Sequence, residues 1–193
     1  MTKLFNKVQQ LLEKYSTGRI LIILFVITQI VYLLMLLYTI PNLMSYANGM
    51  KILDLMPTGY SVDYAKSLFY ELGIVGRDYY LFRQIPVDMI YPFLFAVTYS
   101  LLLTYLFKSS FTPESKIHYL SILPLFGGFF DYLENIGIIL MLSNYPKFLD
   151  LLANVTNLFS ILKSISTTLF FISLVVGIVG FISKKFKKTQ SRI

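Results

Sequence analysis

The chain contains no cysteine and no tryptophan, and it has a single histidine among its 193 residues. The missing cysteine excludes disulfide bonds, thiolate metal ligands and cysteine nucleophiles. Charged residues are also scarce, because Asp, Glu, Lys and Arg together make up 14% of the chain, whereas soluble domains carry about 25%. This composition excludes an ordinary water-soluble domain and indicates a membrane protein.

Apolar residues are instead gathered into long stretches. A helix needs about 20 apolar residues to cross a bilayer, and four stretches reach that length, at residues 20–40, 85–107, 117–142 and 158–183. The polar connections between them leave no second domain with a core of its own. We therefore predict an all-α integral membrane protein with a single membrane domain, built as an antiparallel bundle of four transmembrane helices.

The segments outside the apolar stretches differ from one another in length, charge and residue pattern. Residues 1–19 predict a cytoplasmic amphipathic helix on the membrane surface, or alternatively a short polar tail that orients the first span. Residues 42–84 are too many for an unstructured connection. They carry an apolar stripe at helical spacing after Ser61, a candidate N-cap. We predict a helical extracytoplasmic cap there, between the first and second spans, and a basic cytoplasmic tail at residues 184–193.

Prolines and glycines mark the expected interruptions. Pro41 is predicted to end the first span, and Pro92 to kink the second or to free one of its carbonyl groups. The glycine pair at residues 127–128 predicts a close approach by a neighbouring backbone. Residues 108–116 are expected to form a short connector, and residues 143–157 a second outer loop.

Lysine and arginine are distributed unevenly among these segments. Residues 1–19, 108–116 and 184–193 carry four, two and five of them, while residues 42–84 carry four in a long loop and residues 143–157 only one. By the positive-inside rule both termini face the cytoplasm, which makes this a multi-pass protein of the cell membrane. The net charge of +7 accordingly predicts membrane lipids with anionic headgroups as partners, and no nucleic acid.

Three polar residues interrupt the third apolar stretch on one helical face. Asp131, Glu134 and Asn135 stand at i, i+3 and i+4. Carboxyl groups inside a bilayer are costly and persist where they face a bundle interior or a wet cavity. Lys163 is the one cation at a similar depth, so we predict an ion pair of Lys163 with Glu134 or Asp131. The predicted catalytic residues are Glu134, Asp131 and Lys163.

Each of the other spans, and the segment before the second span, also carries polar or aromatic residues that would reach this interior. An adhesive role in hydrogen bonds between helices is the alternative for the amides. Plain exposure at the outer surface is the alternative for the charged residues nearest to it. The predicted ligand-binding residues are Asn135, Asp88, Arg77, Tyr91, Gln29, Tyr32 and Thr167.

Metal binding is a weaker alternative for the same acids. Asp131, Glu134 and Asp88 offer oxygen ligands suited to Mg²⁺ or Ca²⁺, provided that Lys163 stays away from them. The single histidine, His118, lies at the far end of its span, which disfavours a zinc site. We therefore predict no metal and no cofactor.

Three functions fit these observations. The leading one is a polar cavity in the outer half of the membrane that binds a small amphiphilic or lipid-like ligand, with carboxyl acid–base chemistry such as isomerisation or hydrolysis if the protein is an enzyme. The second is a proton- or cation-coupled transporter, which with four helices would require a homo-oligomer. The third is a non-catalytic membrane subunit or scaffold. A dead-end cavity favours the first, a polar path past Pro124 the second, and solid packing the third.

Overall fold

The structure is a computed structural model that describes the backbone of residues 2–190 and the side chains of residues 5–186. This part of the chain is 85% helical and has no strands. Four of its helices are long and apolar enough to cross a membrane, which confirms the predicted all-helical class and the four apolar helices. The helices are α1 (Thr2–Tyr15), α2 (Gly18–Tyr46), α3 (Val62–Glu71), α4 (Gly73–Ser110), α5 (Lys116–Asn144) and α6 (Asp150–Gln190).

The long helices extend beyond the apolar stretches that predicted them. The prediction that Pro41 ends the first span is wrong, because α2 continues to Tyr46. Helix α4 already begins at Gly73, and α6 at Asp150, so most of the predicted outer loop at residues 143–157 is helix. Apolar length reports the part of a helix suited to lipid, whereas backbone hydrogen bonding continues into the polar flanks.

A wide turn accommodates a proline in both α2 and α4. Each helix contains one π turn, Met35–Thr39 in α2 and Tyr80–Gln84 in α4. A proline follows each turn, Pro41 in α2 and Pro86 in α4. A π turn places the hydrogen-bonded carbonyl five residues back, so the helix is widened where a proline ring would otherwise press on the preceding turn. This is why neither proline ends its helix.

Helix α2 is joined to α4 by side-chain hydrogen bonds along its length. Such bonds between helices contribute roughly 0.6–2 kcal/mol each in membranes. They are Thr39 Oγ1 to Gln84 Oε1 at 2.5 Å, Thr28 with Thr98 at 2.8 Å, and Gln29 Nε2 to the Tyr99 hydroxyl at 2.8 Å.

The helical hydrogen bonding of α4 is interrupted just after Asp88, as the position of Pro92 predicts. Because Pro92 has no N–H, it cannot donate to the Asp88 carbonyl four residues earlier. Asn135 of α5 does so instead, with its Nδ2 3.1 Å from that oxygen. The Tyr132 hydroxyl likewise donates to the Met89 carbonyl at 3.0 Å. The predicted effect of Pro92 is confirmed, and α5 satisfies the freed carbonyl.

Glycines bring α5 against both of its neighbours. A Cβ atom on Gly128 would lie 2.6 Å from the Pro92 carbonyl oxygen of α4, so only glycine permits this approach. On the other side, a Cβ atom on Gly137 would overlap the side chain of Thr156 in α6. The close approach predicted from the glycine pair is confirmed at Gly128.

One end of the bundle gathers α1, the turn between α4 and α5, and the C-terminal part of α6. Leu12 of α1 is buried against Leu101 of α4, and Gly180 of α6 lies beside the Phe111 ring. The predicted N-terminal helix is therefore present as α1. Some side chains counted for the orientation lie outside the described residues; they are Lys3, Lys187, Lys188 and Arg192.

The segment between α2 and α4 covers the opposite end. Ser61 is the N-cap of α3, as predicted, with its Oγ accepting from the Tyr64 N–H at 3.1 Å. Leu68 and Phe69 of α3 are fully buried in one apolar cluster with Ile138 of α5. This packing holds the segment directly above the polar residues of the interior.

Candidate functional site

A lysine and two carboxyl groups form a buried ionic cluster between α5 and α6. Lys163 Nζ lies 3.2 Å from Asp131 Oδ1 and also contacts Glu134 Oε2. The exposed fractions of the side chains are 17% for Lys163, 11% for Asp131 and 0% for Glu134. Ser160 Oγ donates to the second Glu134 oxygen at 2.5 Å. The ion pair predicted from the sequence is confirmed, with both acids sharing one lysine.

A cavity of about 340 Å³ lies beside this cluster. Asp131 and Lys163 form part of its wall, together with Asp54 and Asp88. Glu134 does not line it, because its carboxyl group lies behind the Lys163 ammonium. The rest of the wall is mostly apolar or aromatic; among its residues are Tyr32, Met35, Ile40, Tyr91, Phe95 and Phe171.

The structure brings most of the predicted site residues together. Glu134 reaches the cavity only through Lys163, so it is placed to position that lysine. The predicted residues in the cavity wall are Asp131, Lys163, Asp88, Tyr91, Tyr32 and Thr167.

Three predicted ligand-binding residues lie elsewhere. Asn135 is fully buried and satisfies the Asp88 carbonyl, and Gln29 bonds to Tyr99. Arg77 was expected beside Asp88 at the mouth of the cavity, on the same helical face. Its Nη1 instead donates to the Phe69 carbonyl at 2.7 Å, and its guanidinium lies 3.9 Å from the centre of the Tyr145 ring. Spacing along α4 could not reveal these partners, because both lie on other segments.

Asp54 is the site residue that sequence reasoning missed. It lies in a short 3₁₀ turn, Leu53–Leu55, where it counted only as one of several loop acids. Tyr80 of α4 donates its hydroxyl to Asp54 Oδ2 at 2.6 Å, which turns the carboxyl group toward the bundle. The turn is too short to show a helical or strand periodicity, so the sequence does not indicate that Asp54 faces the interior of the bundle.

A second unpredicted residue, Tyr60, lies near the ionic cluster in the same connecting segment. Its backbone N–H donates to Asn157 Oδ1 at 2.7 Å, and its side chain is 8% exposed. Burial raises the pKa of the Tyr60 phenol above its usual range, and the nearby charge of Glu134 raises this pKa further. The phenol therefore stays neutral and adds no charge to the cluster.

Asp88 is, with Asp54, one of two acids in the cavity wall that keep a buried carboxyl oxygen without a hydrogen-bond partner among the described residues. It is 3% exposed, and its Oδ2 has no hydrogen-bond partner within the part of the chain that the structure describes. A buried polar atom left in this state is unfavourable. Because Asp88 also lines the cavity, its carboxyl group is available to a bound molecule.

An aromatic cluster and two exposed residues lie at the edges of the cavity. Phe95 of its wall contacts Tyr99 and Phe170, with ring centroids 4.9–5.5 Å apart, and we call this cluster the aromatic floor. Tyr32 of α2 and Phe171 of α6 are 40% and 55% exposed at its edge. Over the described residues, α2 and α6 do not pack along each other. The cavity wall is therefore exposed between these two apolar helices, and also at Pro57 of the connecting segment.

Charged residues are missing from the helix segments that lead from the cavity toward the far end of the bundle. Residues 92–107, 119–130 and 164–183 contain no Asp, Glu, Lys, Arg or His. These segments therefore supply no chain of acidic, basic or histidine side chains through the bundle.

Metal binding by Asp131, Glu134 and Asp88 would require Lys163 to stay away from them, and this condition is not met. Lys163 contacts both Asp131 and Glu134 instead of staying away from them. No group of three His, Cys, Asp or Glu side chains stands at metal-binding distances within residues 5–186. The site instead consists of one lysine in contact with two carboxyl groups, with the carboxyl groups of Asp54 and Asp88 as further members of the cavity wall.

Comparison of the chain with protein-family models, with curated proteins and with solved structures found no match. Its function is therefore inferred from the chemistry and shape of the site.

Proposed function

We propose that this protein spans the cell membrane four times, with both termini in the cytoplasm, and binds a small amphiphilic or lipid-like ligand in its lateral cavity. One observation carries the proposal: carboxyl groups and a lysine share a cavity with an apolar wall, and two residues of that wall, Tyr32 of α2 and Phe171 of α6, are exposed. An amphiphile needs both kinds of contact. A lateral opening would admit it from the bilayer without passage through water.

The surface of the long helices supports a lipid environment. Ile30 and Leu37 of α2 are 62% and 71% exposed, and Val175 of α6 is 61% exposed. Contiguous apolar surface on this scale is unusual in a soluble monomer. In the proposed arrangement α1 lies at the cytoplasmic surface, and the segment between α2 and α4 is the extracytoplasmic cap.

The absence of cysteine makes the proposed orientation directly testable, because a single introduced cysteine is the only thiol in the chain. Ser67→Cys lies on the exposed side of α3, and Glu114→Cys on the turn between α4 and α5. We expect a membrane-impermeant maleimide to label the first variant in intact cells and the second only after permeabilisation. The cysteine-free parent is the control. Labelling of both variants from the same side would contradict the topology.

Acid–base chemistry, if the ligand undergoes it, is best placed on Asp88. Asp131 and Glu134 are both engaged with Lys163, whereas Asp88 keeps an oxygen free beside the cavity. Glu134 acts through Lys163 as a positioning residue. Asp54 and Asp131 would orient the polar head of the ligand.

The floor of the cavity argues against the transporter alternative. Phe95 of the cavity wall packs with Tyr99 and Phe170, and the stretches that lead from there toward the proposed cytoplasmic end, residues 92–107, 119–130 and 164–183, contain no Asp, Glu, Lys, Arg or His. The scaffold alternative predicts solid packing with internal partners for every polar group, which the cavity and the free oxygen of Asp88 do not fit.

Photolabelling tests the proposed binding site. The protein in phosphatidylcholine nanodiscs is irradiated with a diazirine-bearing dodecanol or dodecylamine, and labelled peptides are identified by mass spectrometry. We expect labels on cavity residues such as Met35 and Phe171. Gly127→Leu should remove them, because a side chain at Gly127 projects toward Phe95 and Thr167.

Leu169→Phe, on the exposed side of α6, is the matched control and should leave cavity labelling unchanged. Labels spread evenly over the outer helix faces, or cavity labels that persist in Gly127→Leu, would refute the binding site.

A further inference from the structure

The acids around the cavity outnumber its cations. Asp54, Asp88 and Asp131 line the wall, and Glu134 lies directly behind Lys163. Among the described residues, Lys163 is the one lysine or arginine in that wall. Its charge is already shared between two acids, so it does not neutralise the others. The cavity is therefore suited to a positively charged ligand.

Asp88 is the acid best placed to bind that ligand. Its Oδ2 has no hydrogen-bond donor in the described part of the chain, and only 3% of the residue is exposed. Asn135 and Tyr132 hold the adjacent carbonyl groups of Asp88 and Met89, which keeps the carboxyl group on the cavity wall. Asp54 also has an oxygen without a partner, Oδ1, but its Oδ2 already accepts the Tyr80 hydroxyl.

The aromatic side of the wall offers a second attraction for a cation. Tyr91 lines the cavity beside Asp88, with its ring centroid 5.7 Å from that of Tyr32 and 5.9 Å from that of Phe95. Aromatic faces attract ammonium groups electrostatically, most strongly where water is excluded. An anionic or neutral head would gain nothing comparable from this surface.

We propose that the ligand is a cationic amphiphile whose head is a protonated amine that donates a hydrogen bond to Asp88 Oδ2 and lies against the Tyr91 ring. This rests on the proposed function, since it assigns the chemical class of the molecule bound in the same cavity. The apolar tail leaves between α2 and α6. An anionic head would add to the excess of carboxyl groups, and a neutral head would bring no positive charge to Asp88.

The volume of the cavity is sufficient for the head group and part of the apolar tail of such an amphiphile. Its volume of about 340 Å³ is near the lower limit of ligand pockets, which span roughly 300–1,000 Å³. The rest of a dodecyl chain would remain between the helices and the surrounding lipid. A metal ion is disfavoured, because two of the carboxyl groups already bind Lys163.

Competition among amphiphiles with the same tail tests the charge of the head. Dodecylamine, dodecyltrimethylammonium, dodecanol and dodecyl sulfate are compared, at equal content in the bilayer, for protection of the cavity from the diazirine-bearing dodecanol. We expect dodecylamine to protect at a concentration at least about tenfold lower than dodecanol, because a desolvated charge pair is strong. Dodecyltrimethylammonium, which has no N–H, should fall between them, and dodecyl sulfate should be weakest.

Asp88→Asn should reduce the advantage of dodecylamine over dodecanol to less than about threefold, while the photoreactive dodecanol still labels the cavity. Asp78→Asn, which removes the same charge from an exposed position of α4, is the matched control and should change nothing. The wild-type comparison of amine with alcohol tests the inference even if Asp88→Asn does not fold.

Two failures are distinguishable. Equal protection by dodecylamine and dodecanol, or an unchanged preference in Asp88→Asn, would overturn the cationic ligand and leave the binding site standing. Absence of specific cavity labelling by either photoreactive probe would overturn both the binding site and the ligand class.

Discussion

Replacing Lys163 by alanine is expected to lower the free energy of unfolding by about 3–5 kcal/mol, because it leaves two buried carboxyl groups without their cation. Glu134 would suffer most, since its side chain is fully buried and would keep only the hydrogen bond from Ser160. Reversible unfolding of the protein in bicelles, followed by circular dichroism, measures the loss.

A double-mutant cycle separates the ion pair from other effects of the substitutions. Lys163→Ala, Glu134→Ala and the double variant should show a coupling energy of about 0.5–3 kcal/mol. Lys66→Ala is the matched control, because the Lys66–Asp150 pair has similar geometry, 2.7 Å, but exposed side chains. Its loss should stay below about 1 kcal/mol. Strictly additive losses at Lys163 and Glu134 would show that the two residues are not energetically paired.

Arginine in place of Ile30 is expected to make the insertion of α2 into a bilayer less favourable by about 3–4 kcal/mol, the difference between an isoleucine and an arginine at the centre of a span. Ile30 lies near the middle of α2 and is 62% exposed, so the new charge would face lipid. A translocon insertion assay on residues 18–46 measures the apparent free energy of insertion.

Position along the helix provides the control for this substitution. Tyr46→Arg stands at the end of α2 and is also exposed. There an arginine reaches the interface, and the expected cost is below about 1 kcal/mol. Equal effects of Ile30→Arg and Tyr46→Arg would mean that the middle of α2 does not lie in lipid.

The number and class of the helices could be predicted because apolar length is a property of the local sequence. The helix ends could not. A proline such as Pro41 usually ends a helix, but the π turn that precedes it leaves room for its ring. That turn is stabilised by the hydrogen bond from Thr39 to Gln84 of α4. A hydrogen bond between segments far apart in the chain leaves no trace in the pattern of either one.

The same limit separates the predicted from the unpredicted parts of the site. Periodicity placed Asp131 and Glu134 on one face of α5, and the shortage of cations identified Lys163 as their partner. Periodicity could not tell which acid would face the cavity. A rotation of α5 by a fraction of a turn decides that Asp131 reaches it and Glu134 does not. Asp54 depends on a turn that is ordered only by tertiary packing.

The aromatic floor beneath the cavity has a consequence for where ligands come from. In the proposed orientation, Phe95 and Tyr99 lie between the cavity and the inner leaflet, so only molecules residing in the outer leaflet would reach the proposed opening between α2 and α6. Flip-flop of a charged amphiphile requires its head to cross the hydrocarbon core, which is costly. The protein would thus sample one leaflet selectively, and its occupancy would follow the lipid asymmetry of the membrane.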